Sequence, residues 1–176
     1  MSRQPIDIDE FLVRPQLIWT NPGLLLTSGS WAEKQYNAMT IGWGSIGVMW
    51  KRPFIQIVVR PGRYTYGFVE KYDTFTVCAL PRKLDKAIAL LGAKSGRDGD
   101  KIAESKLTPI ASSLVAAPSF AEAELILECR KIYWQDMAKE NFLDPSIEDR
   151  YPRKDYHRIY YGEILAVFGE EQYRAK

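Results

Sequence analysis

Apolar and polar positions alternate along this chain with a period of two far more often than with a helical period. That predicts a mainly β fold punctuated by a few short helices. The turn signal Asn21-Pro22-Gly23 precedes a first strand, Leu24-Leu25-Leu26-Thr27. Residues 37–44 predict a second strand and 54–59 a third, entered through Pro53 as a strand start allows. Phe68, Val69 and Tyr72 then fall at helical spacing within 65–72, and 74–80 reads as a β-branched, aromatic strand. Leu84, Ala87, Ile88 and Leu91 mark an amphipathic helix stopped at Gly92, and Asp98 is placed to cap a brief helix running through Ser105. Residues 122–135 alternate, with Ala123, Leu125, Leu127, Cys129 and Tyr133 on one face. Glu122, Glu124, Glu128 and Arg130 take the other, which is expected to be wet. A last strand over 158–169 groups Ile159, Tyr161, Leu165 and Val167, with an interruption expected at Glu163. Residues 1–15 read as an N-terminal arm and 141–155 as a charged loop. The strand spacing favours a closed or partly closed antiparallel barrel, with 1–176 forming a single domain.

Composition narrows the function classes. With 176 residues, 46% of them apolar, the chain can bury one sizeable core. A formal net charge of +2, from scattered basic residues, calls for neither nucleic acid nor an acidic membrane surface. Aromatics interleaved with basic residues would suit single-stranded nucleic acid, but the near-neutral balance argues against that partner. No apolar run approaches the roughly 18 residues of a membrane span, and residues 1–20 lack the apolar segment of a secretory leader. Cys78 and Cys129 form no C-x-x-C pair and suit buried, reduced thiols, so the expected compartment is the cytoplasm. One histidine and two distant cysteines make no zinc site of ordinary ligand count, and no metal is expected.

Several motifs bear on chemistry. Gly42-Trp43-Gly44-Ser45-Ile46-Gly47 has the letters of a dinucleotide fingerprint. However, Pro53 and another strand follow too soon for the crossover helix that such a motif needs. These glycines read instead as a bulged strand and tight loop whose backbone a flat ligand can approach. Arg60-Pro61-Gly62-Arg63-Tyr64-Thr65 sets two arginines and a hydroxyl residue just before a helix. It is either an anion trap, with charge-assisted bonds and free helix N–H groups, or a solvated turn. Ser95-Gly96-Arg97-Asp98-Gly99-Asp100-Lys101 is either a flexible linker or a loop closing over an anion through Ser95, Arg97 or Lys101. His157 has no G-x-S-x-G elbow to serve as a hydrolase base. It is either an edge residue or part of a pocket lining. A β-surface beside an anion trap suits a flat aromatic ligand that carries a phosphate.

Taken in order, Asn37-Ala38-Met39-Thr40 with Trp43, then 54–59 closed by Arg60-Pro61-Gly62-Arg63-Tyr64-Thr65, then Phe75-Thr76-Val77, resemble a known family. It is the flavin reductase-like, flavoredoxin-type FMN-binding split barrel; 95–101, 120–129, Tyr156-His157 and Gly162-Glu163-Ile164 add to the match. The resemblance implies a Greek-key split β-barrel, a homodimer, and FMN held noncovalently near the subunit interface. It also implies an oxidoreductase that passes electrons or hydride from NAD(P)H through flavin to a small-molecule or protein acceptor. Carried over residue by residue, it implies Asn37, Met39, Thr40, Ile41 and Trp43 around the ring and Arg60, Arg63, Tyr64 and Thr65 at the phosphate. Ser95 and Lys101 become phosphate contacts from one subunit or the other, and His157 approaches flavin or nicotinamide. No side chain is expected to be an obligatory acid or base. Two departures stand out: Trp50, placed to narrow the mouth of the site, and the loop 141–155, placed to cover it or to meet a partner. Rival readings are an electron-transfer flavoprotein with no NAD(P)H turnover of its own, and a barrel without flavin that binds a phosphorylated ligand or nucleic acid.

Overall fold

The computed structural model describes residues 3–20 and 23–175, so Asn21 and Pro22 of the expected turn lie outside the described residues. Ten strands form among the described residues: β1 (Gln4–Ile6), β2 (Leu24–Ser30), β3 (Gln35–Ile41), β4 (Gly44–Met49), β5 (Arg52–Val59), β6 (Thr74–Ala79), β7 (Pro109–Ile110), β8 (Ser119–Phe120), β9 (Leu125–Asp136) and β10 (Arg158–Gly169). Four α-helices accompany them among the described residues, α1 (Pro15–Ile18), α2 (Tyr64–Lys71), α3 (Asp85–Ala93) and α4 (Lys101–Ser105), along with short 3-10 turns. Every pairing in the main sheet is antiparallel, in the order β3-β2-β6-β9-β10-β5-β4, and β1 adds to the far end of β10. The two ends of that path, β3 and β4, are separated in the chain by Gly42 and Trp43 alone, yet they share no ladder. The sheet therefore curls into a barrel left open at one seam.

Alternation decides what fills it. Leu24 and Leu26, Met39 and Ile41, Ile55 and Ile57, Phe75 and Val77, Leu125 and Leu127 all point into one core, joined by Tyr160 and Ile164. The opposite faces of β2, β3, β6 and β9 carry Leu25, Ala38, Cys78 and Ile126. Ile88 and Leu91 of α3 and Ile102 of α4 cover them. Both cysteines are buried and free, and burial pushes the Cys78 thiol up to about 12.

Several expectations are corrected. The run 37–44 is not one strand: β3 stops at Ile41, and β4 restarts at Gly44 to form a hairpin with β5. A Cβ at Gly44 would lie 2.2 Å from the Gln56 carbonyl oxygen and 2.4 Å from the Trp19 ring, so glycine is required at this crossing. The hairpin turns on Trp50 and Lys51, both at positive φ (+53° and +58°), as a two-residue turn of matching twist demands. Asp100, not Asp98, caps α4 by accepting from the Ala103 N–H at 3.0 Å. The second face of β9 is not wet at Glu128, which is 2% exposed and accepts from the backbone N–H groups of Ser113 and Leu114. β10 runs unbroken through Glu163. Tyr160 and Ile164, not Tyr161 and Leu165, face inward, and the register shift on β9 after Ile164 leaves Leu165 as an extra residue, so that Val167 also reaches the core.

Candidate functional site

Where β5 gives way to α2, the sequence Arg60-Pro61-Gly62-Arg63 makes a tight turn, closed by the Arg63 N–H donating to the Arg60 carbonyl at 3.0 Å. No side chain caps α2, so its first N–H groups are left for another acceptor. Tyr64 and Thr65 at that start line a cleft of about 150 Å³ together with Met39, Arg63, Leu91, Ser95, Arg97 and Lys101. Three cations converge there without a carboxylate partner among the described residues. Arg63 donates to the Gly92 carbonyl at 3.1 Å, and Arg97 donates to the Gly62 carbonyl at 3.3 Å and lies over the Tyr64 ring. Lys101, 3% exposed, donates to the carbonyls of Leu91 (2.8 Å) and Lys94 (3.0 Å), which leaves one of its three N–H groups over. Burial, and then the Arg63 charge, lowers its pKa to about 8. A buried ammonium beside two guanidiniums is a costly arrangement unless an anion joins it.

Asn37 stands behind this corner rather than in it. Its amide donates to the Thr65 hydroxyl at 2.7 Å, which frees the threonine proton for a further acceptor. Gly96 packs so closely here that a Cβ would meet Asn37 Oδ1 at 2.5 Å and the Tyr64 ring at 2.7 Å. The glycine in the 95–101 loop is thus set by close approach as well as by flexibility.

A second cleft of about 190 Å³ shares Met39 and Arg63 with the first. Thr40, Ile41, Gly42, Trp43, Val58, Arg60 and His157 complete it. Its walls are the end of β3, the open seam and the start of β10. Trp43 is 46% exposed at its mouth and lies 5.1 Å from the His157 ring. Arg60, expected at the phosphate, is found here and is already engaged. It pairs with Asp155 at 2.8 Å, donates to the Arg150 carbonyl at 2.7 Å and lies over the Tyr151 ring. Burial, followed by the Arg60 charge, lowers the His157 pKa to about 4.

Eleven of the twelve sequence-nominated residues therefore line two clefts that meet at Met39 and Arg63; Asn37 supports them. Ser95 and Lys101 reach this corner from the same chain as Arg63. Trp50 does not line either cleft: its ring sits on the hairpin, 5.8 Å from Tyr133 and 6.1 Å from Tyr161. Tyr151, which bonds His157, went unnoticed in the sequence because nothing in a charged, proline-bearing loop marks one tyrosine as buried. Larger clefts exist among the described residues, of about 690, 640 and 460 Å³, and the last holds none of the nominated residues. The first lies against the N-terminal segment and holds none of the nominated residues. The second borders Asn37, Tyr64 and Lys101 from the α4 side.

The model of the flavin reductase like domain matches residues 19–175. The chain belongs to that family. Among solved structures, this flavin reductase-like chain is similar to an FMN-binding domain of a flavin reductases-like enzyme from Shewanella baltica. The TM-score is 0.66 at 15% identity, covering 98% of this chain and 80% of that one. It is also similar to a flavoredoxin from Methanosarcina acetivorans, with TM-score 0.64 and 24% identity over 96% and 73% of the two chains. A curated relative, an uncharacterized protein of Archaeoglobus fulgidus, is 29% identical over 108 residues. That alignment spans 61% of this chain and only 59% of the relative. The split-barrel fold is thereby shared at low identity.

Proposed function

We propose that this flavin reductase-like domain binds FMN noncovalently and works as an oxidoreductase, passing electrons or hydride from NAD(P)H through flavin to a small-molecule or protein acceptor. The observation that carries the reading is the junction of the two clefts at Met39 and Arg63. One holds three cations, Arg63, Arg97 and Lys101, with no carboxylate partner among the described residues; the other is a slot along a strand end. Together they reach the lower end of the roughly 300–1,000 Å³ range of small-molecule sites. The residues fit the group. Arg63, Lys101, Ser95, Tyr64, Thr65 and the start of α2 would hold the phosphate, each charged bond contributing about 1.5–3 kcal/mol. Met39, Thr40, Ile41 and Trp43 would flank the ring, with His157 at its edge. Arg60 would brace the ring-side wall through Asp155. When bound, the flavin supplies the electron chemistry; the protein orients it, tunes it and restricts access.

Absorbance of the purified protein and a fluorescence titration with FMN test the binding. Anaerobic mixing of the loaded protein with NADH or NADPH tests the donor. Trp43 against His157 narrows the ring-side mouth, and that favours a second reading, a flavoredoxin-like electron carrier without NAD(P)H turnover. Loaded protein whose flavin absorbance persists with both nicotinamides supports the carrier. A homodimer is part of the proposal as well. Val48, Met49, Trp50 and Tyr133 leave exposed apolar surface at the β4–β5 hairpin, suited to a second copy. Trp50→Glu should then shift the sedimentation coefficient toward that of a monomer.

A further inference from the structure

The wall of the ring-side cleft hides a two-residue device. His157 Nδ1 lies 2.8 Å from the Tyr151 hydroxyl, and both side chains are buried, 8% and 3% exposed. That hydroxyl has one proton and two neighbours, Nδ1 and the Met137 sulfur at 3.3 Å. An imidazole nitrogen is much the better acceptor, so the proton goes to Nδ1 and the ring's own proton sits on Nε2. Nε2 has no protein partner among the described residues. It is not among the buried unpartnered side-chain atoms either, which are Trp19 Nε1 and Thr27 Oγ1 among the described residues, so it opens into the cleft that His157 lines.

The tyrosine has little freedom. Phe142 stacks on its ring at 5.9 Å, Tyr156 lies at 5.0 Å and the Arg60 guanidinium at 4.8 Å. Its backbone N–H donates to the Glu148 carbonyl at 2.8 Å, and the Met137 N–H donates to the His157 carbonyl at 3.0 Å. The charges facing the imidazole are Arg60 at the end of β5, Arg63 before α2 and Asp155 on its own loop. The two cations oppose a proton on the ring and the carboxylate favours one.

We propose that Tyr151 is the positioning residue that fixes His157 as one neutral tautomer, giving the ring-side cleft an uncharged N–H donor at Nε2. Such a donor recognises an in-plane acceptor, a carbonyl oxygen or ring nitrogen, at the edge of a planar heterocycle. It also stabilises negative charge gathering there without bringing a counter-charge of its own. That the heterocycle is a flavin rests on the function proposed above; the tautomer does not.

The chain has a single histidine, so untagged, ligand-free protein gives one imidazole spectrum. Long-range proton–nitrogen correlation should show the Nε2–H form from pH 5 to 8, with protonation only near pH 4. In Tyr151→Phe the spectrum should become a mixture of tautomers and the midpoint should rise. A wild-type spectrum of mixed or Nδ1–H form overturns the proposal even if the variant fails to fold. A folded Tyr151→Phe that keeps the pure Nε2–H pattern overturns it too. In FMN-loaded protein, Tyr151→Phe should move the flavin midpoint potential to more negative values, and an unmoved potential rules out a contact between Nε2–H and the ring edge. Protein that takes up no FMN would end the flavin reading, while the imidazole spectra would still decide the tautomer.

Discussion

The two clefts that meet at Met39 and Arg63 are built in opposite ways. The anion corner is made mostly from neighbours in sequence: a turn, the helix it opens, and one loop from the end of α3. Of its cations, Lys94 pairs with Glu104, whereas Arg63, Arg97 and Lys101 bond to carbonyl oxygens and meet no carboxylate among the described residues. The ring-side wall joins the end of β3, the end of β5 and residues 150–157, segments more than 90 positions apart in places. There the arginine is paired and the histidine is neutral. Under the proposed function, uncompensated charge in one cleft and a paired arginine in the other would divide the labour between holding a ligand and tuning it.

The largest expected effect tests that division directly. Arg63→Ala should raise the FMN dissociation constant about 10- to 100-fold, as the loss of about 1.5–3 kcal/mol from a charged bond implies. Arg60→Ala, its partner in the motif, should change it less than about threefold in the same fluorescence titration, the scale of a charge with no direct ligand contact. Equal losses would erase the distinction. Next comes the neutral histidine. Below pH 6.5 the unfolded imidazole takes a proton that the folded one refuses until about pH 4, so stability should fall across that window and level off beneath it. The loss should be about 2 kcal/mol in urea unfolding once partial solvation is allowed for, and His157→Gln should flatten it. On the corner side the sign is different. Lys101 sheds its proton above about pH 8 in the empty protein, so FMN affinity should weaken as pH rises past that value. Lys101→Met should remove the slope. Smallest is Asn37→Ala, which strips Thr65 of its donor: about 1 kcal/mol of stability and roughly 2–4 °C in Tm.

What could be read from the chain follows the same line. β2, β5, β6, α2 and α3 were legible because period, proline and glycine act within a few residues. The Arg63 corner was legible for the same reason. The break at Gly42 was not, because it depends on Trp19 and Gln56 crowding the Cβ position of Gly44 across the barrel. The facing of β10 was missed through its register shift after Ile164, which a strict period of two does not foresee. Glu128 looked like a solvent residue because its partners are backbone groups of an irregular segment. The fate of Arg60 was decided by Asp155, 95 positions away.

One consequence of the unclosed barrel remains. β3 and β4 end the ladder with rows of backbone groups that no strand among the described residues completes, the sort of border on which other chains stack. Beside that border lies the slot from Met39 to Trp43. A molecule lodged there would shield the raw margin, and the emptied protein should be the one that clumps first when warmed.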